Sequence, residues 1–433
     1  MAGTNQDTVT VALGEVELPE GILVILDPGL GRFWRHDAAP ASPRKKDSEQ
    51  WDLRLVGRDA VAAGKAYDRE FDARFLFDQA RPSSEHFDAF ARERGYDART
   101  EVVTPRIPHT ERARLALEHG SGLGVVKYNN LWAVAVGGLP SGRALSVRGV
   151  PMPPGEFAGR WRSIDIVVDA KVEPVRSESV EGVMVDHGQL LFAGLGPLGH
   201  FRMWEPEDGL ADYVFWGKDA PALAKSLGAG EVADGVFGWK DLPMESVGEK
   251  ATPLQERIEE ENLAVGVDYR PHCNLEKLNA LLRESPEDAA TLVLAGAKVL
   301  GCGNRWGDGV FKVSRHFDAA GNVVLVRMEL GTEERQRLMR RVQLRAKGAI
   351  VSRVIAGGAQ PVRFAERLAP LDERDSGWAF SSGTEPDAAQ NDPRTFTVVR
   401  LSQLVSRFPA LDAILDAPVG ARYRLEGERF IED

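Results

Sequence analysis

The residues best placed for chemistry in the middle of the chain are Asp186, His187 and Asp308. An imidazole beside a carboxylate can act as a base with an orienting partner. A further acid in a glycine-rich loop could complete a hydrolase-type site within residues 180–310. That reading requires the three side chains to converge in a concave pocket, with a carboxylate or imidazole shifted from its ordinary titration. No Gly-x-Ser-x-Gly elbow marks a nucleophile beside them. The eight histidines lack the His-Glu-x-x-His spacing of a metalloprotease.

Gly194-Leu-Gly196-Pro-Leu-Gly199 matches a dinucleotide-binding string, and Asp219 follows it. Such a loop must open a helix whose amides face a pyrophosphate. Pro197 inside the loop, then Pro206 and Asp208-Gly209, weigh against that. His272-Cys273 and Cys302 lie too far apart, without a fourth ligand in view, for a structural zinc site. The expectation is therefore no catalytic set, no metal and no cofactor. The string Gly301-Cys-Gly-Asn304-Arg305-Trp306-Gly307-Asp308-Gly309-Val310-Phe311 reads as a structured turn entering a strand, with Asp308 closing an Asx-turn.

A second constellation is built for recognition. Between residues 372 and 392 lie Asp372, Glu373, Asp375, Glu385, Asp387 and Asp392, six acids against Arg374 alone. A negative patch with Trp378 and Phe380 beside it would steer a basic protein and offer an aromatic anchor. The partner-binding candidates are Asp372, Glu373, Asp375, Trp378, Glu385 and Asp387. The competing reading makes Trp378 and Phe380 core and the acids a solvated loop. Arg335, Arg337, Arg340, Arg341, Arg345 and Lys347 make one helix locally basic, as a solvated face or as partners for carboxylates within the chain.

The whole chain sets the frame. It has 433 residues, 43% hydrophobic and 27% charged, with a net charge of -11. This is globular composition. Phosphate would be repelled by most of the surface, which argues against nucleic acid and anionic membranes. Two cysteines do not make a disulfide scaffold. The N-terminus lacks a signal-peptide pattern, and no apolar run reaches the length of a membrane span. A cytoplasmic location is expected.

These residues need elements to hold them. Residues 7–27 read as strands ending at Asp27-Pro28-Gly29. Helical patterns follow at about 58–80, 84–95 and Glu111–His119, around an exposed loop at Asp37–Gln50. From about 121 the texture becomes short strands, with Asn129-Asn130 as a hairpin signal. Thr252-Pro253-Leu254-Gln255 reads as a helix start. Thr291–Leu300 reads as one strand, and Asp318-Ala-Ala-Gly321-Asn322 as a turn. The fold class is α+β and multi-domain, with mostly antiparallel sheets, flanking helices and a small C-terminal α+β domain. Three segments are expected: 1–250 with a break near 120, 251–347, and 348–433. Most tryptophans in the first segment are expected to be core.

Within 348–433 the order of motifs is informative. A leading strand, Ala349–Ile355, is followed by Asp375-Ser376-Gly377-Trp378 and by Ser382-Gly383-Thr384-Glu385. A helix bearing Leu401, Leu404 and Val405 precedes Pro409, and Leu415-Asp416-Ala-Pro418-Val419-Gly420 comes near the end. This segment resembles the bacterial immunity-protein family numbered thirty-three, earlier a domain of unknown function. The resemblance covers about residues 348–430. It departs where Pro386, Ala388, Ala389 and Gln390 stand in place of further acids. It implies a non-catalytic protein that binds and neutralises a toxin in competition between related bacteria. Separately, Trp306-Gly-Asp-Gly-Val-Phe311 and its surroundings, within 290–330, resemble a second bacterial domain family of unknown function.

Overall fold

The computed structural model describes residues 9–41, 51–71, 81–128, 131–386 and 392–433. The chain divides into two units, Met1–Gly331 and Thr332–Asp433. The class is α+β, with sheets that are antiparallel in all but one pairing among the described strands.

The first unit is built on two six-stranded sheets. One runs in the order Ala289–Leu294, Ala297–Gly303, Gln189–Gly194, Leu23–Leu26, Leu131–Val136, Leu123–Tyr128. Leu23–Leu26 is apolar throughout because it lies inside this sheet and is buried on both faces. The helices His109–His119 and Asn274–Glu284 and the turn Pro28–Phe33 cover this sheet through Leu30, Ala113, Leu278 and Leu282. The other sheet runs Val11–Glu17, Ala144–Pro151, Trp161–Val167, Val323–Glu329, Gly309–Phe317, Arg176–Val185. The two sheets pack on each other closely enough that a Cβ at Gly182 would meet Val125 at 2.7 Å. Only a residue without a side chain fits such an approach.

Two smaller lobes complete the unit. The strands Gly230–Ala233, Val236–Pro243, Leu210–Gly217 and Val265–Pro271 form a four-stranded sheet, packed by the helices Ala220–Leu227 and Met244–Glu260 around Phe215, Leu223 and Leu254. The hairpin Leu53–Val56 with Arg99–Val102 lies beside the helices Ala60–Phe71 and Arg81–Glu93, with Tyr67, Phe87 and Phe90 at their core.

Several expectations are revised here. Pro253 lies inside a helix that begins at Met244, not at its start. The Thr-Pro-Leu-Gln pattern mimics a start, but eight residues ahead of Thr252 are already helical. Thr291–Leu300 is not one strand. Ala295 and Gly296, at φ 48° and 79°, turn it into a hairpin. Two left-handed residues in sequence are the requirement of the tight turn that suits twisted strands. Trp204 and Trp216 are exposed, while Trp34 and Trp161 are buried. Leu123–Tyr128 and Leu131–Val136 pair as a hairpin around Asn129-Asn130, which itself lies outside the described residues. The strands from Ala289 to Glu329 complete both large sheets, so strand pairing crosses the break expected near 250. The division after Gly331 gives the helix Glu333–Ala346 to the C-terminal unit, ahead of the boundary expected at 347.

The second unit is one six-stranded sheet in the order Phe396–Arg400, Gly348–Ser352, Asp375–Ser381, Phe364–Arg367, Arg422–Glu426, Arg429–Glu432. Gly348–Ser352 and Asp375–Ser381 are its parallel pair. The helix Leu401–Arg407 and the turn Pro409–Ile414 lay Leu401, Leu404, Leu411 and Ile414 onto Trp378 and Phe380. The helix Glu333–Ala346 is capped by the Thr332 hydroxyl, which accepts from the Arg335 amide at 3.2 Å. Its basic residues do find carboxylates in the chain: Arg341 meets Asp416 at 2.6 Å, and Arg345 pairs with Asp412.

Candidate functional site

The acids expected to form one patch lie at opposite ends of a strand. Asp372, Glu373 and Asp375 belong to the turn entering Asp375–Ser381, and Glu385 to the turn leaving it. Seven extended residues separate the two ends by about 20 Å. Asp387 lies outside the described residues.

The first turn is held by its own acids. Asp372 Oδ1 accepts from the amides of Arg374 at 2.8 Å and Asp375 at 3.0 Å. Asp375 accepts from Leu371 N with one oxygen and from Gly377 N with the other, each at 2.8 Å. The Arg374 amide, and then the guanidinium, hold the Asp372 carboxyl below its usual range. The turn presents Asp372 and Glu373 to solvent, with Leu371 86% exposed between them and Pro370. Leu368 and Val419 are exposed as well, and Gly420 N donates to Arg367 O at 2.7 Å, which ties their two turns together.

At the other end, Glu385 accepts from Ser382 N at 2.9 Å and Ser382 Oγ at 2.8 Å. Burial works against its charge. The hydroxyls of Ser352 and Ser382 and the local amides outweigh burial and hold its pKa down at about 2. Asp392 caps the turn Pro393–Thr395 and pairs with Arg394 at 2.9 Å.

Trp378 does not offer a surface anchor. It is 0% exposed, stacked on Phe380 with ring centroids 5.8 Å apart, and lies near Tyr423. Strand alternation explains the error: Ser376, Trp378 and Phe380 share the face covered by the helix Leu401–Arg407. The apolar side chain of this turn that reaches solvent is Leu371, which carries no signal in sequence beyond an apolar residue in an acidic turn.

In the first unit, strand register brings Asp186, His187 and Asp308 to one edge. Gly309 pairs with Val185, so Asp308 and Asp186 extend the same two strands. All three are exposed. Asp186 and His187, though not Asp308, are held by Asp27, which is fully buried. Its Oδ2 accepts from the amides of Asp186 at 2.6 Å and His187 at 2.8 Å and lies 3.3 Å from His187 Nδ1, while Oδ1 accepts from Gly29 N at 2.7 Å. A buried carboxylate with this many donors is a tie for two loops. Sequence shows only its local half, the Asp-Pro-Gly turn. Asn304, not Asp308, closes the turn in the glycine-rich string, with Oδ1 accepting from Trp306 N and Gly307 N. Cavities of about 410 and 770 Å³ lie in this unit, and neither is lined by Asp186, His187 or Asp308.

The dinucleotide string opens a helix of only four residues, Leu195–Leu198. Glu20 accepts from Gly196 N at 2.9 Å, so a carboxylate of the chain stands where a phosphate would have to bind. Both cysteines are free and buried. The Cys273 thiol donates to Met203 O at 2.9 Å, and burial raises both thiols. His272 has a different setting that sequence reading passed over. Its Nδ1 is 2.8 Å from Asp208, and its Nε2 is 3.2 Å from Asp212 and 3.8 Å from Asp241. The hydrogen bond to Asp208, ahead of the pull of burial, raises the imidazole above its ordinary value.

Comparison with known proteins singles out the second unit. Residues 349–432 match the family model of the Immunity protein Imm33 domain. The match does not extend to residues 290–330. No curated protein and no solved structure matches the chain.

Proposed function

We propose that the chain, carrying an Imm33 immunity domain at residues 349–432, binds and neutralises a basic protein toxin through that unit. The family match is the observation that carries this reading. The turn at 368–375 supplies the surface we assign to it: exposed Leu371 flanked by Asp372 and Glu373, preorganised by Asp375 and the sheet beneath. An exposed apolar side chain on a hydrogen-bonded turn beside two acids offers a partner apolar surface to bury and charge to complement. Glu385 belongs to the turn at the other end of the same strand and would widen the contact.

Charge distribution adds to this. Residues 332–433 hold 16 basic and 15 acidic side chains, whereas residues 1–331 hold 38 and 50. The recognition unit is close to neutral apart from its local turn, and the chain as a whole still attracts a basic protein at long range.

The test is to capture a partner with the full chain, identify it, and express it alone and with the chain. The expected result is growth arrest by the partner, relieved by the chain and not by Leu371→Asp combined with Glu373→Lys. A partner that does not harm growth, or equal protection by the double variant, overturns the reading.

No described helix is long and apolar enough to cross a membrane. The alternative, a hydrolase-type site using Asp186, His187 and Asp308, would rest on the Asp27–His187 pair, whose carboxylate is already committed to three backbone amides.

A further inference from the structure

We propose that His272, Asp212 and Asp241 form a binding site for one zinc-class divalent cation, oriented by Asp208 and distinct from the immunity unit. The three donors come from neighbouring parts of one sheet. Asp212 is on the central strand Leu210–Gly217, Asp241 is on Val236–Pro243, and His272 follows Val265–Pro271. Their ligand atoms all lie within 4.8 Å of one another.

The spacing suits a metal. Ligands held about 2.0–2.1 Å from a tetrahedral zinc stand about 3.3–3.4 Å apart along each edge. Nε2 is 3.2 Å from Asp212 Oδ1 and 3.8 Å from Asp241 Oδ1, so small rotations of the exposed Asp241 side chain close the set. The imidazole is already oriented. Asp208 Oδ2 accepts from Nδ1–H at 2.8 Å, and a cation bound at Nε2 would replace the second ring proton, which otherwise goes to Asp212 at 3.2 Å. This carboxylate–imidazole arrangement is the usual outer support of a metal-bound histidine.

The frame is rigid. His272 N donates to Leu210 O at 3.1 Å, and Glu207 N to His272 O at 3.0 Å, which clasps the Asp208 turn to the histidine. Leu210 N donates to Asp208 Oδ1, and Asp241 N to Asp212 Oδ1, both at 2.9 Å.

Charge leaves room for a cation. Three carboxylates surround one imidazole, and a proton on that ring offsets only one of them. Arg270, which faces Asp212 across the ladder, turns to Asp268 at 2.7 Å. One nitrogen and two carboxylates, with the remaining positions open to water, suit zinc, cobalt or manganese better than the all-oxygen preference of calcium or magnesium. The bound ion would clip three strands together and keep a face available to a further ligand.

The test is calorimetric titration of the full chain with Zn²⁺, with Co²⁺ substitution read by its visible absorption. The expected result is one Zn²⁺ per chain and a cobalt band of low coordination number. Asp241→Asn changes an exposed side chain at a strand irregularity where φ is 52°, a conformation asparagine also adopts, so it separates binding from folding. It and His272→Asn should weaken binding about 100-fold, and Asp208→Asn about 10- to 100-fold. No saturable binding at one ion per chain, or binding that Asp241→Asn leaves unchanged, overturns the proposal.

Discussion

Replacing Trp378 by alanine separates a core role from a recognition role in one experiment. The ring is 0% exposed, stacks on Phe380, and has the Arg367 guanidinium 5.5 Å above it. Truncating a buried aromatic to alanine costs about 3–5 kcal/mol. A domain of about this size has roughly 5–15 kcal/mol of stability in total. At about 4–8 °C per kcal/mol, the transition of the C-terminal unit should fall by at least about 12 °C. Trp378 is the one tryptophan in residues 332–433, so its loss removes the unit's own fluorescence signal and calorimetry of the full chain is the suitable assay. Two units justify looking for two transitions, of which only one should move. Trp378→Phe should cost less, because it fills most of the volume and removes an indole N–H that has no acceptor. A shift under about 2 °C for the alanine variant, combined with loss of partner binding, would refute the core assignment and restore the ring as a surface anchor.

Other substitutions test the turns and the loop tie. Leu371→Asp should leave the melting temperature unchanged and weaken the partner by about 30-fold or more, as expected for an apolar hot spot worth about 2 kcal/mol, measured by titration with the captured protein. Glu385 is a depressed carboxyl, so its contribution is present above the unfolded value of 4.5 and is lost as pH falls toward about 2. Glu385→Gln should therefore lower the stability of the C-terminal unit by about 1–2 kcal/mol at pH 7, after allowance for solvent screening, and by little at pH 2. A pH-independent difference between the two chains would contradict this. Asp27→Ala strands the amides of Gly29, Asp186 and His187, and should cost about 3–5 kcal/mol in the first unit's transition. Asp27→Asn, which keeps one acceptor, should cost less.

What could be read from sequence was what sequence encodes locally. The α+β class, the turn at Asp318–Asn322 and the hairpin about Asn129-Asn130 follow from apolar alternation and turn residues that act on their own neighbours. Motif order sufficed for the immunity domain. The losses came from long-range placement. Asp27 looks like a turn residue, and its bonds to Asp186 and His187 cross about 160 positions. Trp378 and the acids about it are close in sequence, but the strand sends the ring into the core and divides the acids between its ends. His272 gathers Asp208, Asp212 and Asp241 from three separate turns and strands, so no spacing rule applied along the chain could find it.

The central claim is that the C-terminal unit is the part that neutralises a partner. The most direct measurement is growth of cells that express the captured partner together with either the full chain or a chain ending at Gly331. The prediction is protection and complex formation by the full chain, and loss of both without residues 332–433. Equal protection by the shorter chain would place the activity in residues 1–331 and contradict the assignment.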